Sequence, residues 1–213
     1  MCAKGFVTEA TIPITKKASQ NEQYHIFKES IGSYKKSIYD KDRKKHFAKA
    51  GQLLHHLVAD SFYHFWEGTP WEFYGKTQCP QQGAIACGYF VSTVLQDAGV
   101  PVDRIDLAEI ASENMIKKLV KPASMTHFVP FELEKFVAAI KAKGDALYVI
   151  GLDYHTGFIS CEKGAVWFIH SGSSGVVKEL ATASSPIVYN HYGVTGCLSS
   201  DTTFLKKWLY NNN

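Results

Sequence analysis

Two apolar runs separated by a short glycine-containing segment constrain the fold of this chain most strongly. Residues 146–160 open with Ala-Leu-Tyr-Val-Ile-Gly-Leu and close with Gly-Phe-Ile-Ser, and residues 165–170 read Ala-Val-Trp-Phe-Ile-His. β-branched and aromatic runs of this length are typical of strands, and the few linking residues, which include Gly164, favour a tight turn. The sequence therefore predicts an antiparallel hairpin, and the helical patterns elsewhere make the predicted fold class α+β.

The same hairpin brings two histidines together. If residues 162–163 form the centre of the turn, His155 lies directly opposite His170, with Cβ atoms roughly 4.5–5.5 Å apart. If the turn has three residues with Gly164 in the left-handed conformation, His155 pairs with Ser171 instead. Either register keeps the two histidines side by side, which suits a base whose ring is oriented by another polar group. The alternative is that each histidine is an ordinary strand residue.

Cys87 stands at the beginning of an amphipathic segment that ends in a strong stop signal. Apolar residues recur with helical spacing at Phe90, Val91, Val94, Leu95 and Ala98, which indicates one buried helix face. Gly99 and Pro101 follow and terminate the helix. Cys87 then falls in the first turn, where unpaired N–H groups and the helix dipole favour a thiolate. The alternative is a small buried hydrophobic residue, the usual role of a free cysteine.

Together these residues predict nucleophilic chemistry. A cysteine at a helix start and a histidine on a later strand can form a thiol–imidazole pair that attacks a carbonyl carbon. In this hypothesis Cys87 is the nucleophile, His155 is the base and His170 orients the base.

The chain resembles the NlpC-type cell-wall peptidases, small papain-like cysteine hydrolases, over roughly residues 70–180. Their nucleophile begins a helix in Asp-Cys-Ser-Gly, which residues 86–91 (Ala-Cys-Gly-Tyr-Phe-Val) resemble. Their base opens a His-x-Gly-apolar strand, as in residues 155–159, and their third residue ends an apolar strand, as in residues 168–172. Residues 71–75 are similar to the aromatic and glycine segment upstream of the family's nucleophile.

The resemblance implies a papain-like core in which an antiparallel sheet packs on the nucleophile helix. It implies that the three candidate catalytic residues form a Cys-His-His triad that needs no cofactor and no metal. The implied reaction is hydrolysis of an amide bond in a peptidoglycan stem peptide, commonly between D-γ-glutamyl and a diamino acid. Tyr74 matches the tyrosine that lines the oxyanion site, and Trp71 and Ser171 are the other implied substrate contacts.

The chain departs from the family pattern on both sides of the nucleophile. Ala86 stands where the family has Asp, Gly88 stands where it has Ser, and residues 75–86 add a segment with no counterpart. Two alternatives therefore stay open. One is a papain-like acyltransferase or toxin-type amidase acting on a lipid or protein substrate. The other is a catalytically inactive cell-wall binding domain on the same fold.

The first 69 residues differ in character from residues 70–213, which we predict to be the catalytic domain. Apolar residues spaced by three and four indicate one helix over residues 24–38 and a second over residues 47–65. Asp42 suits the N-cap of the second helix. Because the link between them is short, the two helices are predicted to be antiparallel neighbours.

Other segments also show clear patterns. Helices are predicted at residues 106–119, 130–142 and 204–210, and further strands at residues 176–177 and 186–189. The second of these helices begins with proline, which is favoured at a helix start.

Composition narrows the range of partners. The net charge of +3 is too small to predict a nucleic-acid partner. No apolar run approaches the ~18 residues of a transmembrane segment, and no N-terminal signal region is visible. His55, His56 and His64 are better read as structural residues than as metal ligands, because no carboxylate or cysteine completes a recognisable set.

The cysteines bear on the compartment. The five of them are scattered without CxxC spacing, which favours reduced thiols over a disulfide framework. Cys2 follows Met1, as in a bacterial lipoprotein whose signal has been replaced by a start methionine. The peptidase hypothesis thus predicts a cell-envelope or secreted protein, and a cytoplasmic protein is the alternative.

Overall fold

The structure is a computed structural model that describes residues 19–210 of the chain. Its helices are α1 (Gln20–Ser37), α2 (Arg43–His56), α3 (Tyr63–Trp66), α4 (Cys87–Asp97), α5 (Arg104–Ala108), α6 (Ser112–Leu119), α7 (Leu133–Ala142), α8 (Ser185–Val188) and α9 (Thr202–Tyr210). A π-helical turn, Leu57–Phe62, joins α2 to α3. Its strands are β1 (Met125–Phe128), β2 (Ala146–Leu152), β3 (Thr156–Glu162), β4 (Ala165–Gly172), β5 (Gly175–Leu180) and β6 (Gly193–Cys197).

The six strands form one sheet in the order β1-β6-β2-β3-β4-β5, and every neighbouring pair is antiparallel. This confirms the predicted α+β class and the antiparallel hairpin of β3 and β4.

The turn between β3 and β4 differs from both predicted turns. Lys163 and Gly164 are its two central residues, with φ of 50° and 79°, and Glu162 pairs with Ala165. Positive φ at both positions is the two-residue geometry that matches the twist of paired strands. From the sequence, positive φ was predicted for Gly164 alone.

This turn changes the register of the histidines. Phe158 pairs with Ile169, so the register continues to place His170 opposite Gly157 and not opposite His155. Both predicted registers were therefore wrong. The histidines are diagonal neighbours on the sheet, a relation that long or aromatic side chains still bridge.

Helices cover both faces of the sheet. On one face, Phe90 of α4 packs edge-to-face on Phe158 of β3, with ring centroids 6.0 Å apart. On the other face, Phe136 and Ile140 of α7 share a buried cluster with Tyr148 of β2. Because β2 is covered on both sides, every residue in it is buried, and this explains its continuous apolar sequence.

The N-terminal helices are antiparallel, as predicted. Tyr24, near the start of α1, lies 6.1 Å from Phe62 and 6.0 Å from Trp66 between ring centroids. Phe27 lies 5.4 Å from Phe65. The start of α1 therefore meets the end of the second helical segment. Asp42 caps α2 as expected, accepting hydrogen bonds from two backbone N–H groups of its first turn.

The apolar core continues across the predicted domain boundary. The Trp66 ring packs edge-to-face on Phe90 of α4 at 6.1 Å, and buried residues of α1, α2 and α4 belong to one cluster. The C-terminal helix joins this cluster, since Trp208 Nε1 donates to the Ala98 carbonyl at 2.7 Å. The boundary at residue 69 stays a sequence-based prediction, because no break in packing marks it.

The predicted helix over residues 106–119 is two helices, α5 and α6. Arg104 holds α5 on α4, because its Nε donates to the Thr93 hydroxyl and its Nη2 to the Lys76 carbonyl. The following helix instead packs against β2 and β6. The chain has to turn between these two attachments, and periodicity alone does not report such a turn.

Two other helix and strand boundaries were also wrong. The helix predicted from Pro130 begins at Leu133, because the Phe131 N–H donates across to the His191 carbonyl at 2.9 Å. Residues 186–189 were predicted as a strand, but they lie in and just after the short helix α8. The strand at residues 176–177 and the closing helix at residues 204–210 are confirmed within β5 and α9.

Strands β1 and β6 were missed, and the reason is clear for β6. A Cβ on Gly193 would stand 2.6 Å from the Phe131 ring, and one on Gly196 would stand 2.5 Å from Ile116. Glycines that make room for neighbouring side chains remove the alternating pattern by which strands are recognised.

Among residues 19–210, no helix has the length and apolar character needed to cross a bilayer. Cys2, on which the lipoprotein hypothesis rests, lies outside the described residues.

Candidate active site

Cys87 is the first residue of α4, as the sequence predicts. The segment before it is anchored on two sides. The Ala86 N–H donates to the Gly75 carbonyl at 2.9 Å, and the Ile85 carbonyl accepts from the Ser171 hydroxyl at 2.7 Å. The start of the helix is thus tied both to the loop that precedes it and to strand β4.

Ser171 therefore supports the nucleophile segment instead of contacting substrate. It is fully buried and its hydroxyl is donated to a backbone carbonyl, so the implied role in substrate binding does not match its placement. Tyr74 is 82% exposed and stacks edge-to-face on Phe73 at 4.9 Å. Its hydroxyl has no hydrogen-bond partner within the described residues. Trp71, at 37% exposed, lies on the same loop.

The resting state of Cys87 differs from the thiolate that its helix position suggests. Burial raises the pKa of its thiol, while hydrogen bonding by the backbone N–H groups of Thr156, Gly88 and Cys87 itself lowers it by less. The helix start thus acts in the expected direction, but desolvation of the charged form outweighs it. Cys87 rests as a neutral thiol.

The two candidate histidines are in direct contact. Nε2 of His155 lies 2.8 Å from Nδ1 of His170, and the rings are nearly perpendicular with centroids 4.8 Å apart. The pairing was predicted from the hairpin, and the contact is made although the register differs from both predicted ones.

Gly157 makes the diagonal contact possible. A Cβ at this position would stand 2.6 Å from the Phe168 ring, 2.7 Å from the Ile169 carbonyl oxygen and 2.9 Å from Cβ of His170. Distances below 3 Å are not tolerated in a packed interior. The glycine of the His-x-Gly segment therefore has a steric function, since it lets β4 bring His170 towards His155.

Two further residues hold His170. The Phe168 ring stacks on it with centroids 4.2 Å apart and planes 13° from parallel. On the other side, Nε2 of His170 lies 3.1 Å from Oε1 of Glu179, on β5. The His170 ring is buried, with 6% of its side chain exposed against 36% for Glu179. The ring is therefore fixed in orientation by stacking and by hydrogen bonds at both nitrogens.

Both histidines are neutral at physiological pH. Burial, followed by the neighbouring His170, lowers the pKa of His155 to about 4. Burial also lowers the pKa of His170, and this effect exceeds the opposing hydrogen bond to Glu179. A neutral imidazole can accept a proton, as a general base requires.

Cys87 and His155 are neighbours through the backbone. The Thr156 N–H, one of the backbone donors that lower the pKa of the Cys87 thiol, belongs to the residue that follows His155. Within residues 19–210, the Cys87 sulfur makes no hydrogen bond to a histidine ring. Catalytic contacts of this kind are often long in free enzymes and shorten when substrate binds.

The departure at Gly88 has a steric explanation. A Cβ on Gly88 would stand 2.6 Å from the carbonyl oxygen of Ala108 in α5, so this chain cannot carry the family's serine there without moving α5. Ala86 contributes its backbone only and makes no side-chain cap on α4. Nothing in the structure explains why alanine stands there in place of aspartate.

The other histidines do not form a metal site. His55 lies 2.7 Å from the Ser160 hydroxyl and His56 lies 2.9 Å from Asp60, while His64 is exposed. No group of three or more His, Cys, Asp or Glu residues between 19 and 210 is arranged to hold a metal ion.

A cavity of about 940 Å³ lies elsewhere, and no candidate catalytic residue lines it. Its wall includes His55, Tyr148, Glu162 and Ser199. Glu162 ends β3 whereas His155 precedes it, and a seven-residue strand spans roughly 20 Å. The cavity is therefore remote from the Cys87 site.

Glu179 was not predicted as a neighbour of His170, although the sequence contains a pattern that indicates it. Ser173 and Ser174 separate β4 from β5, and a two-residue turn there pairs His170 with Val177, as observed. That register puts Glu179 two residues further along, diagonal to the histidine. Without this register, a single glutamate on a short strand would be predicted to be a solvent-exposed residue.

Comparison of the chain with known protein families, with curated proteins and with solved structures gave no match.

Proposed function

We propose that this protein is a papain-like cysteine peptidase or amidase that hydrolyses an amide bond in peptidoglycan stem peptides, between D-γ-glutamyl and a diamino acid. The observation that carries the proposal is the 2.8 Å contact between His155 and His170, on a hairpin that packs against the helix begun by Cys87. The packing of α4 on strands β3 and β4 also supports a papain-like arrangement. The choice of bond rests on the family resemblance alone.

The first half of the reaction forms a thioester. The Cys87 sulfur attacks the amide carbonyl carbon while the neutral imidazole of His155 accepts the thiol proton. His155 then donates this proton to the nitrogen of the leaving amine as the C–N bond breaks. His170 orients His155 and stabilises the cation that it briefly becomes.

The second half releases the acid. Water replaces the departed amine, His155 removes a proton from it, and the oxygen attacks the thioester carbonyl carbon. The C–S bond then breaks and the sulfur recovers the proton. Nucleophile and base return to their starting neutral forms, which matches their resting states.

The negative oxygen of each tetrahedral intermediate needs hydrogen-bond donors. The first N–H groups of an α-helix have no partner within the helix, and the Cys87 N–H at the start of α4 is one of them. Such a donor is worth ~3–4 kcal/mol of transition-state stabilisation. The Tyr74 hydroxyl is the second donor in this proposal, and its exposed loop would have to close over the substrate to supply it.

Site-resolved alkylation tests the dyad without any assumption about substrate. Iodoacetamide rates at Cys87 are followed by peptide mass spectrometry from pH 6 to 9 in the wild type, in His155→Ala and in Cys79→Ala, with Cys87→Ala as the blank. We expect labelling at pH 7 to be at least tenfold slower in His155→Ala, because the thiol loses its proton acceptor. Cys79→Ala should leave the Cys87 rate unchanged. Equal Cys87 rates in the wild type and in His155→Ala would reject the dyad.

Digestion of purified muropeptides then tests the substrate. We expect a product whose mass corresponds to cleavage on the carboxyl side of D-γ-glutamate, and none from Cys87→Ala. Activated Cys87 with intact muropeptides would instead support the acyltransferase or toxin-type amidase alternative, to which the exposed Phe73 and Tyr74 offer an apolar surface. An unreactive Cys87 would leave the binding-domain alternative.

The proposed substrate places the protein in the cell envelope or outside the cell. A lipid-modified Cys2 would anchor it there. Fractionation of cells that express the wild type or Cys2→Ala tests this location, and we expect the substitution to release the protein from the membrane fraction.

A further inference from the structure

Glu179 is the end of a hydrogen-bonded chain that starts at the proposed base. Its carboxylate accepts from Nε2 of His170 at 3.1 Å, and Nδ1 of His170 lies 2.8 Å from Nε2 of His155. An ionised carboxylate can only accept hydrogen bonds, and 36% of the Glu179 side chain is exposed to solvent.

This chain of contacts determines where the protons lie. Because Glu179 accepts, Nε2 of the neutral His170 must carry its proton, so Nδ1 of His170 is an acceptor. Nε2 of His155 must then donate to it, and this leaves Nδ1 of His155 with the free lone pair. That nitrogen is the one left able to take a proton from the Cys87 thiol.

We propose that Glu179 is a positioning residue: it selects the Nε2–H tautomer of His170 and, through it, makes Nδ1 of His155 the base. The catalytic consequence rests on the function proposed above, whereas the tautomer assignment does not. The reverse tautomer of His170 would donate to His155, which would then carry its own proton on Nδ1 and could accept none from the thiol.

Within residues 19–210, no other carboxylate or cation contacts the His170 ring. The titratable groups that contact the ring are His155, from the segment before β3, and Glu179, from β5, while Phe168 covers the ring from its own strand. Lys178, the neighbour of Glu179, binds Glu162 and Asp60 instead. Within residues 19–210, Glu179 forms no ion pair with a lysine or arginine, so its charge acts on the imidazole alone.

Long-range proton–nitrogen NMR correlations of the histidine rings test the assignment directly. The samples are wild type, Glu179→Gln, Glu179→Ala and the control Glu134→Gln, which removes an exposed carboxylate from the first turn of α7. We expect His170 to be the Nε2–H tautomer in the wild type and in the control, and a mixture of both tautomers in Glu179→Ala. The pH midpoint of His170 should fall by about half a unit to one unit in Glu179→Gln, because a carboxylate favours the imidazolium.

Kinetics supply the second readout. On a substrate identified by the muropeptide assay, Glu179→Ala should lower kcat by about twofold to tenfold with little change in KM, since the Nδ1–H fraction of His170 leaves His155 without a free lone pair and does not alter binding. The acidic limb of the Glu179→Gln pH–rate profile should move to lower pH with the His170 midpoint. A general loss of stability would lower the rate without moving that limb.

Two results would overturn the proposal: an Nδ1–H tautomer of His170 in the wild type, or tautomer and pH midpoint unchanged by both Glu179 substitutions. The NMR readout needs no substrate. An ordered tautomer in a protein that cleaves no muropeptide would therefore reject the proposed function and retain the role of Glu179.

Discussion

Strand β3 has a histidine network at each end, and the two networks are built differently. At its start, His155, His170 and Glu179 form a chain that contains no lysine or arginine. At its far end, Ser160 and Glu162 meet His55 from α2, and the Lys178 ammonium lies 3.0 Å from Glu162 and 3.5 Å from Asp60.

The difference separates the candidate reactive site from a structural network. The far network contains a hydroxyl 2.7 Å from an imidazole, which on distance alone resembles a nucleophile and its base. Ser160, however, is fully buried and also donates to Glu162, and Lys178 compensates the carboxylate charge. In the near network, by contrast, no lysine or arginine of the described residues pairs with Glu179. The candidate catalytic end therefore differs from the structural end in having no compensating cation among the described residues, and not in containing histidine.

The largest expected effect on activity comes from removing the Cys87 thiol, and removal of the Ser160 hydroxyl is the comparison. Cys87→Ala should lower hydrolysis by at least about 10³-fold, because the covalent step is lost. Ser160→Ala should leave kcat unchanged and cost about 1–3 kcal/mol of unfolding free energy, because His55 loses a buried partner. Single-turnover kinetics and urea denaturation measure the two quantities. A large loss of activity in folded Ser160→Ala would reverse the assignment of the two ends.

Gly157→Ala tests the geometry of the near network. The added methyl group cannot fit between Phe168 and His170, so the hairpin must shift and the histidine contact must lengthen. We expect kcat to fall by about 100-fold and stability by about 1–3 kcal/mol from overpacking.

Gly32→Ala is the matched control, since a Cβ at Gly32 in α1 meets no atom within 4 Å. It should raise stability by up to about 1 kcal/mol, because alanine is the better helix former. Full activity in folded Gly157→Ala would show that the close histidine contact is dispensable.

His155 and His56 should respond oppositely to pH. The pKa of His155 is about 4 in the folded protein and near ~6.5 when unfolded, so the unfolded chain binds more protons between these values. Stability should therefore fall as pH drops through this window, by about 1–2 kcal/mol between pH 7 and pH 5. The measurement is urea unfolding at the two pH values for the wild type and His155→Gln, in which this contribution is absent.

His56 provides the opposite sign. The hydrogen bond to Asp60 raises the pKa of His56. The contribution of His56 to the free energy of unfolding is therefore fully present below its pKa in the unfolded chain, and it is lost as pH rises through its pKa in the folded protein. His56→Gln should therefore lose more stability at pH 5 than at pH 8. The same pH dependence in both variants would contradict the contrast between these two histidines.

The smallest effect on activity is expected from Lys178→Met. The side chain is 14% exposed and neutralises two carboxylates, so its loss should cost about 1–2 kcal/mol of stability. Because the network is remote from Cys87, kcat and its pH profile should not change. A displaced pH profile would mean that the two ends of β3 are electrostatically coupled.

Local pattern was enough to predict the helix that begins at Cys87, the hairpin that carries the histidines and the antiparallel pair of N-terminal helices. In each case the relevant neighbours are close in sequence, so periodicity and turn residues report them directly. The split between α5 and α6 could not be predicted in this way, because Arg104 and the sheet set it from a distance.

The sequence by itself determined the residue types of the candidate site and brought His155 and His170 onto one hairpin. Tertiary structure decided the register, through positive φ at Lys163, and it decided that Ser171 supports a loop. It also decided the protonation states. Helix position alone favours a Cys87 thiolate, but burial by the surrounding chain keeps the thiol neutral. Burial and the approach of Glu179 depend on the whole fold, because desolvation and diagonal contacts across strands arise only when distant segments pack together.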